Sequence, residues 1–385
     1  VLTRAIEAGQ GVLRLAPTWV PRLLQVAGGR LRLDPRDLFA AGTHRGAVDE
    51  RWLASTTLAQ NGPDTAPHEG MSWVEFEGKR ELLSAAIEEL HEPWEVLCKL
   101  FDNAVPIAHH MHQNDVQAAL VGRRGKPEAY YFPPQYNVIE HSFPYTFFGV
   151  DPSTRRSDVV DCLHRWHQGD NGILNLSRAY KLEPGTGWII DPCILHAPGT
   201  YVTYEPQRNS DVGGFFQSVV WGRPMPWSSL VKDIAPEYQN DLEYIVAQLD
   251  WEANIDADFR RKRFRPPLPV RDAAAMAEGG YDERWIVYGT PNFSAKELTV
   301  LPGRSAHVTD QAAYGALVVQ GLGSFGKMSV EAPGMIRYGQ MTHDELFVSA
   351  RAARAGITIE NRGIEPLVIL KHFAPGNPEA IESAL

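Results

Sequence analysis

Apolar residues recur at three- and four-residue spacing in two early stretches, 2–15 and 81–100, and this predicts a helix in each. Between them, residues 30–75 are polar and broken by Pro and Gly, which predicts an irregular arm. From Val105 to Trp221 the pattern changes to short apolar runs bounded by turn residues, and 116–120, 129–132, 187–190, 201–204 and 215–221 are expected as strands. Helical spacing returns in 161–167 and in 224–254, where Leu242, Tyr244, Ile245 and Leu249 form the apolar side. The basic knot 259–267 reads as a charged linker, with an anion- or nucleic-acid-binding patch as the alternative. Strands resume after Tyr281, at 285–288, 297–301, 315–319, 326–329, 346–349, 356–360 and 365–373.

Composition supports a β-rich chain. Gly 33 and Pro 28 in 385 residues exceed average usage, as frequent reversals between short strands require. The length suggests two domains, and 44% hydrophobic with 22% charged residues describes an ordinary globular protein and excludes a disordered one. Lys plus Arg is 37 against 47 Asp plus Glu, a net charge of -10. That sign repels phosphate backbones and anionic lipid, so neither nucleic acid nor membrane is expected as a partner. No secretion signal is read in residues 1–25, and Cys98, Cys162 and Cys193 lack CxxC spacing, so a reduced, cytoplasmic setting is expected.

The chemistry concentrates in the histidines. In Ala108-His109-His110-Met111-His112, residues two apart on a strand share a side, so His110 and His112 face one way and His109 the other. Two imidazoles so placed are half a metal site. Lys126-Pro127-Glu128 follows with a carboxylate beside a strand, and a turn, a strand and Asp191-Pro192 lead to His196. His-x-His, then Glu, then a distant His after a Pro turn is the ligand order of a cupin barrel. The competing reading is a chance set of core and surface histidines.

The flanks of these residues resemble type I mannose-6-phosphate isomerases. Lys99, Pro106 and His110-Met111-His112 resemble that family's Lys, spacer, then Pro-Leu-Ser-Ile-Gln-Val-His; Lys126-Pro127-Glu128 resembles its Lys-Pro-Glu. His196-Ala197, Glu205 nine residues on, then Ser210-Asp211 resemble its His-Ala, Glu and Ser-Asp. The likeness covers about residues 93–216. It implies a divalent ion held by His110 (in place of the family's Gln), His112, Glu128 and His196, with Lys99 and Lys126 on lysines that line the family's substrate cleft. Two departures stand out. The family's phosphate-associated serine falls on Ala108, and its catalytic arginine has no counterpart, its place by spacing being near Phe215. A lysine does not replace the bidentate anion partner so lost, which favours an unphosphorylated sugar or related polyol.

The resulting expectation is a mainly β fold of two cupin (double-stranded β-helix) barrels with accessory helices. It is divided into a helix and arm (1–75), a metal-binding barrel (76–225), a helical linker (226–284) and a second, metal-free barrel (285–385). The function implied is a metal-dependent aldose–ketose isomerase or epimerase acting on a small carbohydrate-like substrate, as monomer or homodimer. An iron(II) cupin dioxygenase and a non-catalytic sugar-binding bicupin remain as alternatives. Zinc is the first expectation for the ion, but three imidazoles and a carboxylate also suit iron, manganese, nickel or copper. Lys126, Lys99, Glu205 and Glu140 are the candidates for moving the proton. Glu140-His141 can equally be a solvated turn.

Overall fold

The computed structural model describes residues 1–137 and 143–382. Among these the strands form five antiparallel sheets, and four of them stack as two barrels back to back. In the first barrel a seven-stranded sheet, in the order Phe264–Arg265, Gly187–Ile190, Glu128–Tyr131, Thr203–Arg208, Val96–Phe101, Ala47–Leu53, Thr18–Arg22, faces a five-stranded sheet that carries His110–Met111 and His196–Ala197. In the second, a nine-stranded sheet faces a four-stranded one around an apolar interior that includes Leu298, Val308, Phe325, Ile359 and Ile369.

The outer faces of the two large sheets pack on each other and make the largest core. Val96, Cys98 and Leu100 from one side meet Leu317, Phe347 and Leu370 from the other. Because both faces of Val96–Phe101 are covered, all six residues are buried and the strand shows no period-two alternation. That is why 81–100 reads as one helix, whereas the helix is only Leu83–Leu90. The stretch 2–15 divides in the same way, into the helix Leu2–Ala8 and the strand Val12–Ala16, which pairs with Glu345–Val348.

Other expectations change too. Residues 30–75 contain the strands Ala47–Leu53 and Trp73–Phe76 and are not wholly irregular. The expected strand 116–120 is a short helix, Asp115–Ala119, nucleated by a reciprocal capping box between Asn114 and Gln117. The basic knot forms the helix Phe259–Arg263, in which Arg260, Arg261, Lys262 and Arg263 pair with Glu183, Asp258, Asp256 and Asp191. The outer face of the five-stranded sheet is closed by helices, among them Arg156–His164 and Leu242–Ala247, over Met111, Val150 and Leu195. No helix among the described residues is long and apolar enough to cross a membrane.

Candidate metal centre and its cavity

The two sheets of the first barrel each contribute to one buried cluster. His196 lies directly across the ladder from His110, and Glu128 projects from the facing sheet. The ligating atoms of His110, His112 and His196 lie within 4.8 Å of one another. Glu128 Oε2 is 3.1 Å from His112 Nε2, and Glu128 Oε1 is 3.0 Å from His196 Nε2. Glu128 and His196 are fully buried and the other two nearly so. His109 points away, as the alternation predicts, with Nε2 3.1 Å from Ser177 Oγ.

Hydrogen bonding settles the tautomers. Nδ1 of His110, His112 and His196 lies 2.7, 2.6 and 2.8 Å from the backbone carbonyls of Ala108, Val212 and Ile194. A carbonyl only accepts, so each Nδ1 carries the proton and each Nε2 presents a lone pair to the centre. This is the outer hydrogen bond that orients metal-binding imidazoles. Gly213 permits the approach at His112, where a Cβ would sit 2.9 Å from Nδ1.

The centre is thus a buried convergence of acceptors. His196 Nε2 finds no well-aligned hydrogen-bond partner among the described residues, and the Glu128 oxygens meet the His112 and His196 imidazoles and the Lys126 ammonium at 3.0–3.1 Å. Burial holds the His110 imidazole well below its ordinary pKa and pulls His112 down to about 4, with Lys126 adding to the latter. The Glu128 carboxyl stays well below the usual range because Lys126 and the histidines outweigh the cost of burial. Three imidazoles with their outer nitrogens tied to carbonyls, converging on a carboxylate held ionised, fit a divalent cation.

Beyond Glu128, charge crosses the inner face of the seven-stranded sheet strand by strand. Lys126 Nζ is 3.0 Å from Glu128 and 3.6 Å from Glu205; Lys99 Nζ is 3.2 Å from Glu205 and 3.4 Å from Glu50; Arg22 is 3.1 Å from Glu50 and 3.3 Å from Asp211. Lys99 and Glu205 are direct cross-strand partners. Lys126 also donates to His112 Nε2 at 3.0 Å, so it touches the metal centre itself. Burial and the nearby Glu128 push the Glu205 carboxyl up to about 7 against the pull of Lys99 and Lys126.

All of these groups border one cavity of about 590 Å³, with Tyr130, Phe101 and Phe215 among its walls. Of the residues expected in the site, the structure brings together His110, His112, Glu128, His196, Lys99, Lys126 and Glu205; Glu140 lies outside the described residues. Arg22 and Glu50 were missed because they precede the matching segment and sit in stretches with no strand signal. Their positions are inward ones on Thr18–Arg22 and Ala47–Leu53.

No protein-family model matches the chain, and no curated protein matches it either. Solved structures do. The mannose 6-phosphate isomerase from Bacillus subtilis superposes with a TM-score of 0.62 at 16% identity, covering 94% of this chain and 99% of that one. A zinc-bound mannose 6-phosphate isomerase superposes with a TM-score of 0.60 at 13% identity, covering 95% and 100%. A mutant of the phosphomannose isomerase from Salmonella typhimurium gives the same values. The chain therefore has the cupin fold of these isomerases along nearly its whole length. At such identity the likeness is one of fold.

Proposed function

We propose that the protein is a divalent-metal-dependent sugar isomerase, interconverting an aldose and a ketose, or epimers, of an unphosphorylated sugar or related polyol. The observation that carries this reading is the buried convergence of His110, His112, His196 and Glu128, with Lys126 and Glu205 beside it on the wall of one cavity. Zinc is the proposed ion, in keeping with the three-nitrogen, one-oxygen donor set and with the zinc-bound structural neighbour. Bound there, the ion supplies Lewis-acid polarisation of a substrate carbonyl or hydroxyl oxygen.

The chain's own residues do the rest. Lys126 reaches both Glu128 and Glu205, so it places a cation where negative charge develops as a proton leaves carbon. Glu205, poised near 7, suits proton transfer at neutral pH. Lys99 holds Glu205 from the other side and fixes its orientation.

The same network argues against a phosphorylated substrate. Lys126, Lys99 and Arg22 each already face two carboxylates, and Arg45 is engaged by Glu69. A phosphate dianion would have to compete for each of these four, which leaves Lys232 on the same wall, 3.8 Å from Asp233, as the least engaged cation. Where the family's arginine would fall, Phe215 packs on the His110 ring at 5.6 Å between centroids. The test is turnover by zinc-loaded protein on a panel of free aldoses and ketoses alongside mannose 6-phosphate. Interconversion of a neutral sugar supports the reading. No interconversion, or stoichiometric iron with oxygen uptake, overturns it.

A further inference from the structure

Two amide side chains on the cavity wall have unmet hydrogen-bonding capacity. Asn103 is 1% exposed and lines the cavity of the candidate metal centre, yet neither Oδ1 nor Nδ2 has a partner among the described residues. Gln25 lines the same cavity with its Oε1 buried and unbonded. Asn61, on the same wall, shows the usual condition. Its Nδ2 donates to Pro21 O and Glu69, and its Oδ1 accepts from Arg22 at 3.1 Å.

The backbones that carry the two amides are firmly tied to each other. Ala104 N donates to Val26 O at 2.8 Å, Gly28 N donates to Asp102 O at 2.9 Å, and Ala27 bridges to Asn103. Arg30 pairs with the Asp102 carboxylate and donates to Asn103 O at 3.0 Å. The main chain is fixed while the side-chain amides are left open. Leaving a buried amide unmatched is costly, so its presence on a ligand-sized cavity wall points to a partner that arrives with the ligand.

Chemistry narrows that partner. A carboxamide offers a donor and an acceptor with no net charge, which matches the hydroxyl groups of a polyol, since each of those also donates and accepts. A phosphate only accepts and is best met by cations. We propose that Asn103, with Gln25 from the adjoining segment, reads substrate hydroxyls in the metal cavity and sets the preference for a neutral polyhydroxylated ligand. This rests on the sugar-isomerase reading above and adds the residues that select within it.

The test uses the zinc-loaded full chain and calorimetric titration with D-mannose, D-fructose, D-mannitol and mannose 6-phosphate. Wild type is expected to bind at least one neutral probe more tightly than the phosphate. Asn103→Ala is expected to weaken that binding by about tenfold or more, as loss of hydrogen bonds in a buried site does, while zinc affinity stays unchanged and Tm is equal or higher. Gln25→Leu is expected to act in the same direction, more weakly. Sugar binding unchanged in Asn103→Ala overturns this proposal alone. An Asn103→Ala that fails to fold, or loses stability in step with binding, assigns Asn103 a structural role and also overturns it. Wild type that binds none of the neutral probes fails the sugar reading itself, and this proposal with it.

Discussion

Arg51 bridges the two barrels, and its removal gives the sharpest stability test. Its guanidinium is fully buried between the large sheets, 2.7 Å from Asp344 and 2.9 Å from Glu345, while Glu345 Oε1 also accepts from Ala54 N at 3.0 Å. Burial pushes the Glu345 carboxyl up to about 7 even with Arg51 beside it. Arg51→Met keeps most of the volume and leaves two carboxyls without their cation. Breaking a buried pair in this way costs about 3–5 kcal/mol, a large share of a typical domain's stability of about 5–15 kcal/mol.

The pH dependence follows from the direction of the shift. A carboxyl with a raised folded pKa binds its proton more tightly when folded, so its charging erodes stability as pH rises from its unfolded value towards about 7. Without Arg51 the folded pKa rises further and the erosion continues above 7. The loss in Arg51→Met is therefore greatest at pH 8 and smaller, by about 1 kcal/mol or more, at pH 5, where Glu345 is protonated in either chain. Urea denaturation at the two pH values reads both quantities. Adding Asp344→Asn and Glu345→Gln to Arg51→Met should recover most of the loss, since an uncharged set carries no orphaned ion. A loss below about 1 kcal/mol at pH 8, or one independent of pH, would refute the reasoning.

Further tests address the site. His196→Ala removes one imidazole and should lower zinc affinity by about a hundredfold or more, read by competition with a chromogenic chelator, since even outer-shell losses cost 10–100-fold; retained affinity would show that the ligands have been misassigned. Glu205→Gln should abolish the ascending limb of kcat/KM against pH. In wild type that limb should lie at or below about 7, because Glu205 is neutral below its pKa and a bound cation draws that pKa down. An identical limb in the variant would remove Glu205 from proton transfer.

The cluster of His110, His112, Glu128 and His196 was legible because its signals are local. His110 and His112 sit at strand spacing, and Glu128 and His196 stand in order beside turns that leave their mark on the sequence. The charge chain was only half legible. Lys99 and Glu205 look like ordinary strand charges until the register sets them opposite each other. Arg22 and Glu50 join them because the chain's first strands add to the far edge of the same sheet, a long-range pairing with no local signature. The helix Asp115–Ala119 was hidden for the opposite reason: its capping box is a local signal outweighed by a short apolar run. Asn103 is the least legible of all. Its significance lies in the bonds it does not make, and only the packed structure shows those.

The account's central claim is that His110, His112, Glu128 and His196 jointly hold one divalent ion. X-ray absorption at the zinc edge, on protein purified without chelator and reconstituted with one equivalent of zinc, tests it most directly. The account predicts three nitrogen donors and one oxygen donor at about 2.0–2.2 Å, with the imidazole scattering pattern lost in proportion when His110 or His196 is replaced. A shell of water oxygens alone, or a spectrum unaltered by those replacements, would contradict it.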